Sequence, residues 1–81
     1  MSAANRQRND TMNETITILV NSFRETVPKN ADISFLIRHF QEHDVDLIVE
    51  HNGRFVYSHQ YDEITVSEGD RIEFLNPNIG G

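Results

Sequence analysis

Eighty-one residues make one small domain, whose core only just offsets the entropy of ordering the chain. With no cysteine it has no disulfide framework, no zinc-thiolate site and no thiol nucleophile, and a formal charge of -6 disfavours nucleic acid or anionic lipid as its main partner. No apolar run reaches bilayer-spanning length and the N-terminus lacks the apolar core of a signal peptide, so a cytoplasmic protein docking on basic protein surfaces is the expectation.

Residues 1–13 mix Ala, Asn, Gln, Arg and Asp without periodicity and read as a disordered extension carrying a net +1. Two glycosylation sequons, Asn9-Asp10-Thr11 and Asn13-Glu14-Thr15, have no secretion signal to make them meaningful. Residues 14–81 hold five basic and twelve acidic side chains, a net -7, so the folded part is distinctly acidic.

Thr15 to Val20 is a β-branched run with Ile16, Ile18 and Val20 on one face, which predicts the first strand. Asn21-Ser22 is a two-residue turn, Phe23 to Val27 the returning strand, and Pro28 closes it because proline has no donor for the ladder. Asp32 or Ser34 caps a helix running to about His43, with Ile33, Leu36, Ile37 and Phe40 in one apolar stripe. Phe35 points away from that stripe, either partly covered by neighbours or exposed for a partner.

Leu47 to His51 and Arg54 to Ser58 form a second hairpin about Asn52-Gly53, the pair best suited to a type I′ turn. His59 to Thr65 is irregular, with a short turn near Tyr61-Asp62-Glu63. At Ser67-Glu68-Gly69-Asp70 the glycine supplies a positive φ before the last strand, Arg71 to Leu75, in which Ile72 and Phe74 share the core phase. The tail Asn76-Pro77-Asn78-Ile79-Gly80-Gly81 follows, and two residues without Cβ beside a free carboxylate make a thin tether. One helix between two hairpins and a final strand predicts an α+β domain with one sheet face covered and the other open.

Three patterns suggest chemistry that the architecture does not support. His39-Phe40-Gln41-Glu42-His43 matches H-x-x-E-H, with both histidines on one side of the predicted helix, but a zinc hydrolase needs a third ligand and a cleft. His51 and His59, near Ser58 and Asp62, lack a nucleophile elbow. Asp62-Glu63 and Glu68 with Asp70 read as solvated turns rather than metal sites.

The order of elements, the Asn52-Gly53 hairpin, Val66-Ser67-Glu68-Gly69-Asp70-Arg71-Ile72-Glu73-Phe74 and the closing Gly80-Gly81 resemble the ThiS/MoaD sulfur carriers of the ubiquitin-like β-grasp fold. The likeness spans residues 14–81. Leu19-Val20-Asn21, Glu50-His51-Asn52-Gly53 and the compactness of those 68 residues are closer to ThiS, whereas the proline in Asn76-Pro77-Asn78-Ile79 is closer to MoaD.

The resemblance implies a β-grasp domain over 14–75, with a mixed sheet of four to five strands, one main helix on one face, and a flexible tail over 76–81. It further implies that the Gly81 carboxylate is adenylated by a ThiF/MoeB-like enzyme and becomes a thiocarboxylate, with Gly80, Ile79, Asn78 and Pro77 as the partner-binding tail. ATP would be used by the partner, with no cofactor or metal on this chain, which has no phosphate-binding glycine loop. Sulfur would come from a donor such as a cysteine desulfurase and pass to thiazole synthase in thiamin biosynthesis, or to the molybdopterin synthase large subunit if the chain is MoaD-like. The protein would be a co-substrate rather than an enzyme. Ile79 either anchors in an apolar slot of the partner or folds back on its own domain. Two further readings stay open: a ubiquitin-like modifier, restricted in self-conjugation by Lys29 as sole lysine, and a plain β-grasp interaction module.

Overall fold

The structure, a computed structural model, describes residues 14–77. The expectations for 1–13 and for Asn78 to Gly81 lie outside the described residues. Five strands and one helix follow in chain order: β1 (Thr15–Val20), β2 (Phe23–Pro28), α1 (Ile33–His39), β3 (Ile48–His51), β4 (Arg54–Val56) and β5 (Arg71–Leu75). A 3-10 turn at Ser58–Gln60 opens the irregular connection to β5.

The strands form one mixed sheet in the order β2-β1-β5-β3-β4. Each hairpin is antiparallel, β5 runs parallel to β1 and antiparallel to β3, and the last strand therefore fills the middle of the sheet. Both hairpin turns have positive φ at their two central residues, 49° and 75° at Asn21 and Ser22, 52° and 84° at Asn52 and Gly53. Such turns match the right-handed twist of paired strands.

Alternation along the strands divides the sheet into two faces. Ile18, Val20, Val27, Val49, Val56, Ile72 and Phe74 are buried on one, where Ile33 and Leu36 of α1 join them in a single cluster. Ile18, Ile33, Leu36, Val49 and Ile72 are at most 1% exposed, and burial of each contributes about 1.5–3 kcal/mol. The other face is open and carries Leu19, Arg71, Glu73 and the half-exposed Phe55 and Leu75. Ile37, Phe40 and Phe35 are partly buried against the core, so Phe35 takes the covered alternative, with its ring stacked on His39.

The helix is shorter than its periodicity predicts, ending at His39 instead of about His43. Gln41 turns left-handed at φ 58°, its N–H donating to the Arg38 carbonyl and that of Glu42 to the Ile37 carbonyl. This is a Schellman cap built without the usual glycine, and for that reason the stop carries no sequence signal. His43 consequently lies in the following loop, which removes the helical pairing on which the H-x-x-E-H pattern depended. At the other end Asp32, not Ser34, is the cap: its carboxylate accepts from the Phe35 N–H at 2.7 Å. Strand β3 begins at Ile48 and β4 stops at Val56, each shorter than predicted. No helix among the described residues is long and apolar enough to cross a membrane.

Candidate functional site

From the end of β5, between β1 and β3, the chain passes into Asn76 and Pro77. On the β3 side the ladder pairs Val49 with Phe74 and Ile48 with Leu75. Asn76 is half-buried and Pro77 exposed in a turn, where the missing proline N–H is consistent with the end of regular pairing. Asn78, Ile79, Gly80 and Gly81 lie beyond the described residues. Phe74 is 3% exposed, so the predicted core phase of β5 is observed, and it is the last buried side chain among the described residues.

Backbone pairing with β1 ends earlier, at Val20 opposite Ile72, after which the chain enters the first hairpin turn. The Asn21 side chain then reaches Phe74: Oδ1 accepts from the Phe74 N–H at 2.7 Å and Nδ2 donates to its carbonyl at 3.3 Å. Exposed apolar side chains lie at this end of the sheet, with Phe23 paired to Val20, Leu75 paired to Ile48, and Val45 in the loop before β3.

At the opposite end of β5 a polar cluster joins the second hairpin to the turn that starts β5. Asp70 accepts from the Ser67 N–H at 2.9 Å and from Asn52 Nδ2 at 3.1 Å, and lies 2.8 Å from His51 Nε2. Asn52 Oδ1 also accepts from the Arg71 N–H at 2.8 Å. Burial pushes the Asp70 carboxyl up, but the hydrogen bonds from His51, Ser67 and Asn52, with the charge of His51, outweigh it and hold the group below its ordinary value.

A depressed carboxylate stabilises the fold fully above its unfolded pKa and loses that contribution as pH falls through the folded value. Asp70→Asn should therefore lower stability at pH 7 by about 1–3 kcal/mol, the range for orphaning partners of a charged acceptor. Its deficit relative to wild type should shrink below about pH 4, where wild-type Asp70 also becomes neutral. Urea melts of both proteins at pH 7 and pH 3 check this, and a deficit equal at both pH values refutes it.

Other candidate groups are engaged elsewhere. Glu68 accepts from the Thr17 N–H at 3.0 Å, Asp62 accepts from the Ser34 hydroxyl, and His59 stacks on Tyr57. The acidic turns thus act as hydrogen-bond acceptors that fasten loops, a more specific role than that of solvated turns. His51 pairs with Asp70 and not with Ser58 or Asp62. Among the described residues no group of three His, Asp or Glu is placed to hold a metal ion.

What this arrangement offers is a mount at the centre of a sheet, where β5 ends. The family model for the ThiS family matches residues 7–81. The chain belongs to the ThiS family of ubiquitin-like sulfur carriers. A crystal structure of the thiamine biosynthesis protein ThiS from Geobacter metallireducens is similar to it, with 28% identity and a TM-score of 0.71, covering 82% of this chain and 99% of that one. No curated protein gives a significant match. The ThiS family match runs through the closing Gly80-Gly81, and the expected β-grasp architecture is present as a five-stranded mixed sheet with one helix. Sequence reasoning missed the Asn21 and Asp70 contacts, because both residues first read as ordinary turn residues.

Proposed function

We propose that this chain carries sulfur for thiamin biosynthesis as a thiocarboxylate on Gly81, with residues 14–75 as the presenting domain and 76–81 as the tether. The observation that carries the reading is the ThiS family match running through Gly81, on a fold whose central strand leads into that segment. A carboxylate is a poor electrophile. Its oxygen therefore attacks the α-phosphorus of ATP, pyrophosphate leaves, and a mixed anhydride with AMP results. A donor persulfide then adds to the carbonyl carbon and AMP departs, giving an acyl disulfide, and a second thiol attacks the donor sulfur, forms a disulfide with it and leaves the thiocarboxylate on the terminal carbon.

The chain has no cysteine, so sulfur comes from outside, from a donor such as a cysteine desulfurase. A ThiF/MoeB-like enzyme supplies the nucleotide site, and thiazole synthase is the acceptor. Six residues in extended form reach roughly 20 Å at about 3.3 Å each, enough to enter a narrow channel while the domain stays docked outside. Gly80 and Gly81 pass where a Cβ would obstruct, with Ile79, Asn78 and Pro77 contacting the channel.

Incubation with ATP, a ThiF-like enzyme and a sulfur donor, followed by intact-mass measurement, should show one oxygen exchanged for sulfur at Gly81. An unmodified mass refutes the proposal, and a conjugate to lysine would instead mark a modifier. Gly80→Ala should slow activation by roughly 10²-fold, the typical cost of misplacing a reacting group by about 1 Å. An unchanged adenylation rate would remove the need for a glycine there.

A further inference from the structure

Strand β5 outlasts its neighbour β1, extending three residues past Ile72, the partner of Val20. Asn21 still donates its N–H to the Ile72 carbonyl at 2.9 Å, then turns left-handed at φ 49°, so no backbone of β1 remains to meet Phe74. The Asn21 side chain takes that place. A primary amide offers the same acceptor and donor as a peptide group, and here both engage the backbone of Phe74. Val49 lies opposite Phe74 on the other side, but both backbone groups of Phe74 point to Asn21, while its side chain is held in the core.

We propose that Asn21 is a positioning residue for the C-terminal tail: its amide clamps the Phe74 backbone and so sets the point at which the tether begins. The proposal rests on the reading of Gly81 as the reacting end. Without the clamp the Phe74 backbone loses both of these bonds, the last hold on β5 from the β1 side moves back to Ile72, and only the ladder to β3 retains the strand beyond it. The tail then samples more directions before its end enters a partner, and that lost order must be recovered on binding.

The turn alone does not account for the residue, because glycine accepts the left-handed backbone as well as asparagine does. Asn21→Gly therefore deletes the amide and keeps the turn, whereas Asn21→Asp keeps the acceptor for the Phe74 N–H and loses the donor. Hydrogen exchange at the Phe74 amide should accelerate in Asn21→Gly by about fivefold to tenfold, the equivalent of one net hydrogen bond, with the Ile72 amide unchanged. In ATP-dependent activation by a ThiF-like enzyme, the KM for the carrier should rise about fivefold with kcat within about twofold, because the loss is one of preorganisation.

Asn21→Asp should fall between the two, and carries the test if the glycine variant does not fold. Unchanged Phe74 exchange, or an unchanged KM with wild type active, overturns the clamp. Failure of the wild-type chain itself to be activated overturns the underlying reading and the proposal together, and is distinguished by occurring without any mutation.

Discussion

Adding a single alanine after Gly81 should leave the melting temperature unchanged and reduce ATP-dependent activation by at least about 10²-fold, the penalty for a reacting group displaced by an ångström or more. The added residue moves the terminal carboxyl about 3.3 Å further along the extended chain and places a Cβ beside it. Among the described residues the core ends at Phe74, so the fold is not expected to depend on the new residue. Pyrophosphate exchange and intact mass read the activation, and a thermal melt reads the fold. Activation at the wild-type rate would show that neither Gly81 nor the position of its carboxyl group is what the activating enzyme requires.

The largest effect on stability is expected from Leu36→Ala. Leu36 is 0% exposed on the face of α1 that covers the sheet, and truncating a buried leucine costs about 2–5 kcal/mol. Against a total of roughly 0.05–0.15 kcal/mol per residue, this removes a large fraction of the stability of so small a domain. Each kcal/mol is worth about 4–8 °C at this size, so the melting temperature should drop by roughly 8–40 °C. Val45→Ala, at a side chain 95% exposed, is the control and should stay within about 0.5 kcal/mol. A drop for Leu36→Ala no greater than for the control would mean that α1 does not hold the sheet closed.

Much of this architecture was legible because local pattern and tertiary environment agree. The alternation of Ile16, Ile18 and Val20, the stripe Ile33, Leu36, Ile37 and Phe40, and the turn residues Asn52-Gly53 and Gly69 each point to the element that forms. The helix end was not legible, since Gln41 adopts a conformation for which glycine is the usual marker. The site divides in the same way. Its covalent end is suggested by Gly80-Gly81, whereas its mount depends on Asn21 meeting Phe74 and on Asp70 meeting His51 and Asn52. Those pairs are 53, 19 and 18 residues apart, and nothing local to either partner announces them.

The place of β5 in the sheet also bears on what happens when the tail is drawn into a partner. Tension applied at Gly81 runs along β5, and its hydrogen bonds to β1 and β3 lie across that line of pull, so they are loaded together in shear. A strand at the sheet edge, such as β4, could instead be peeled away one bond at a time. A pull along β5 would therefore load a strand paired on both sides, which is harder to unzip than an edge strand.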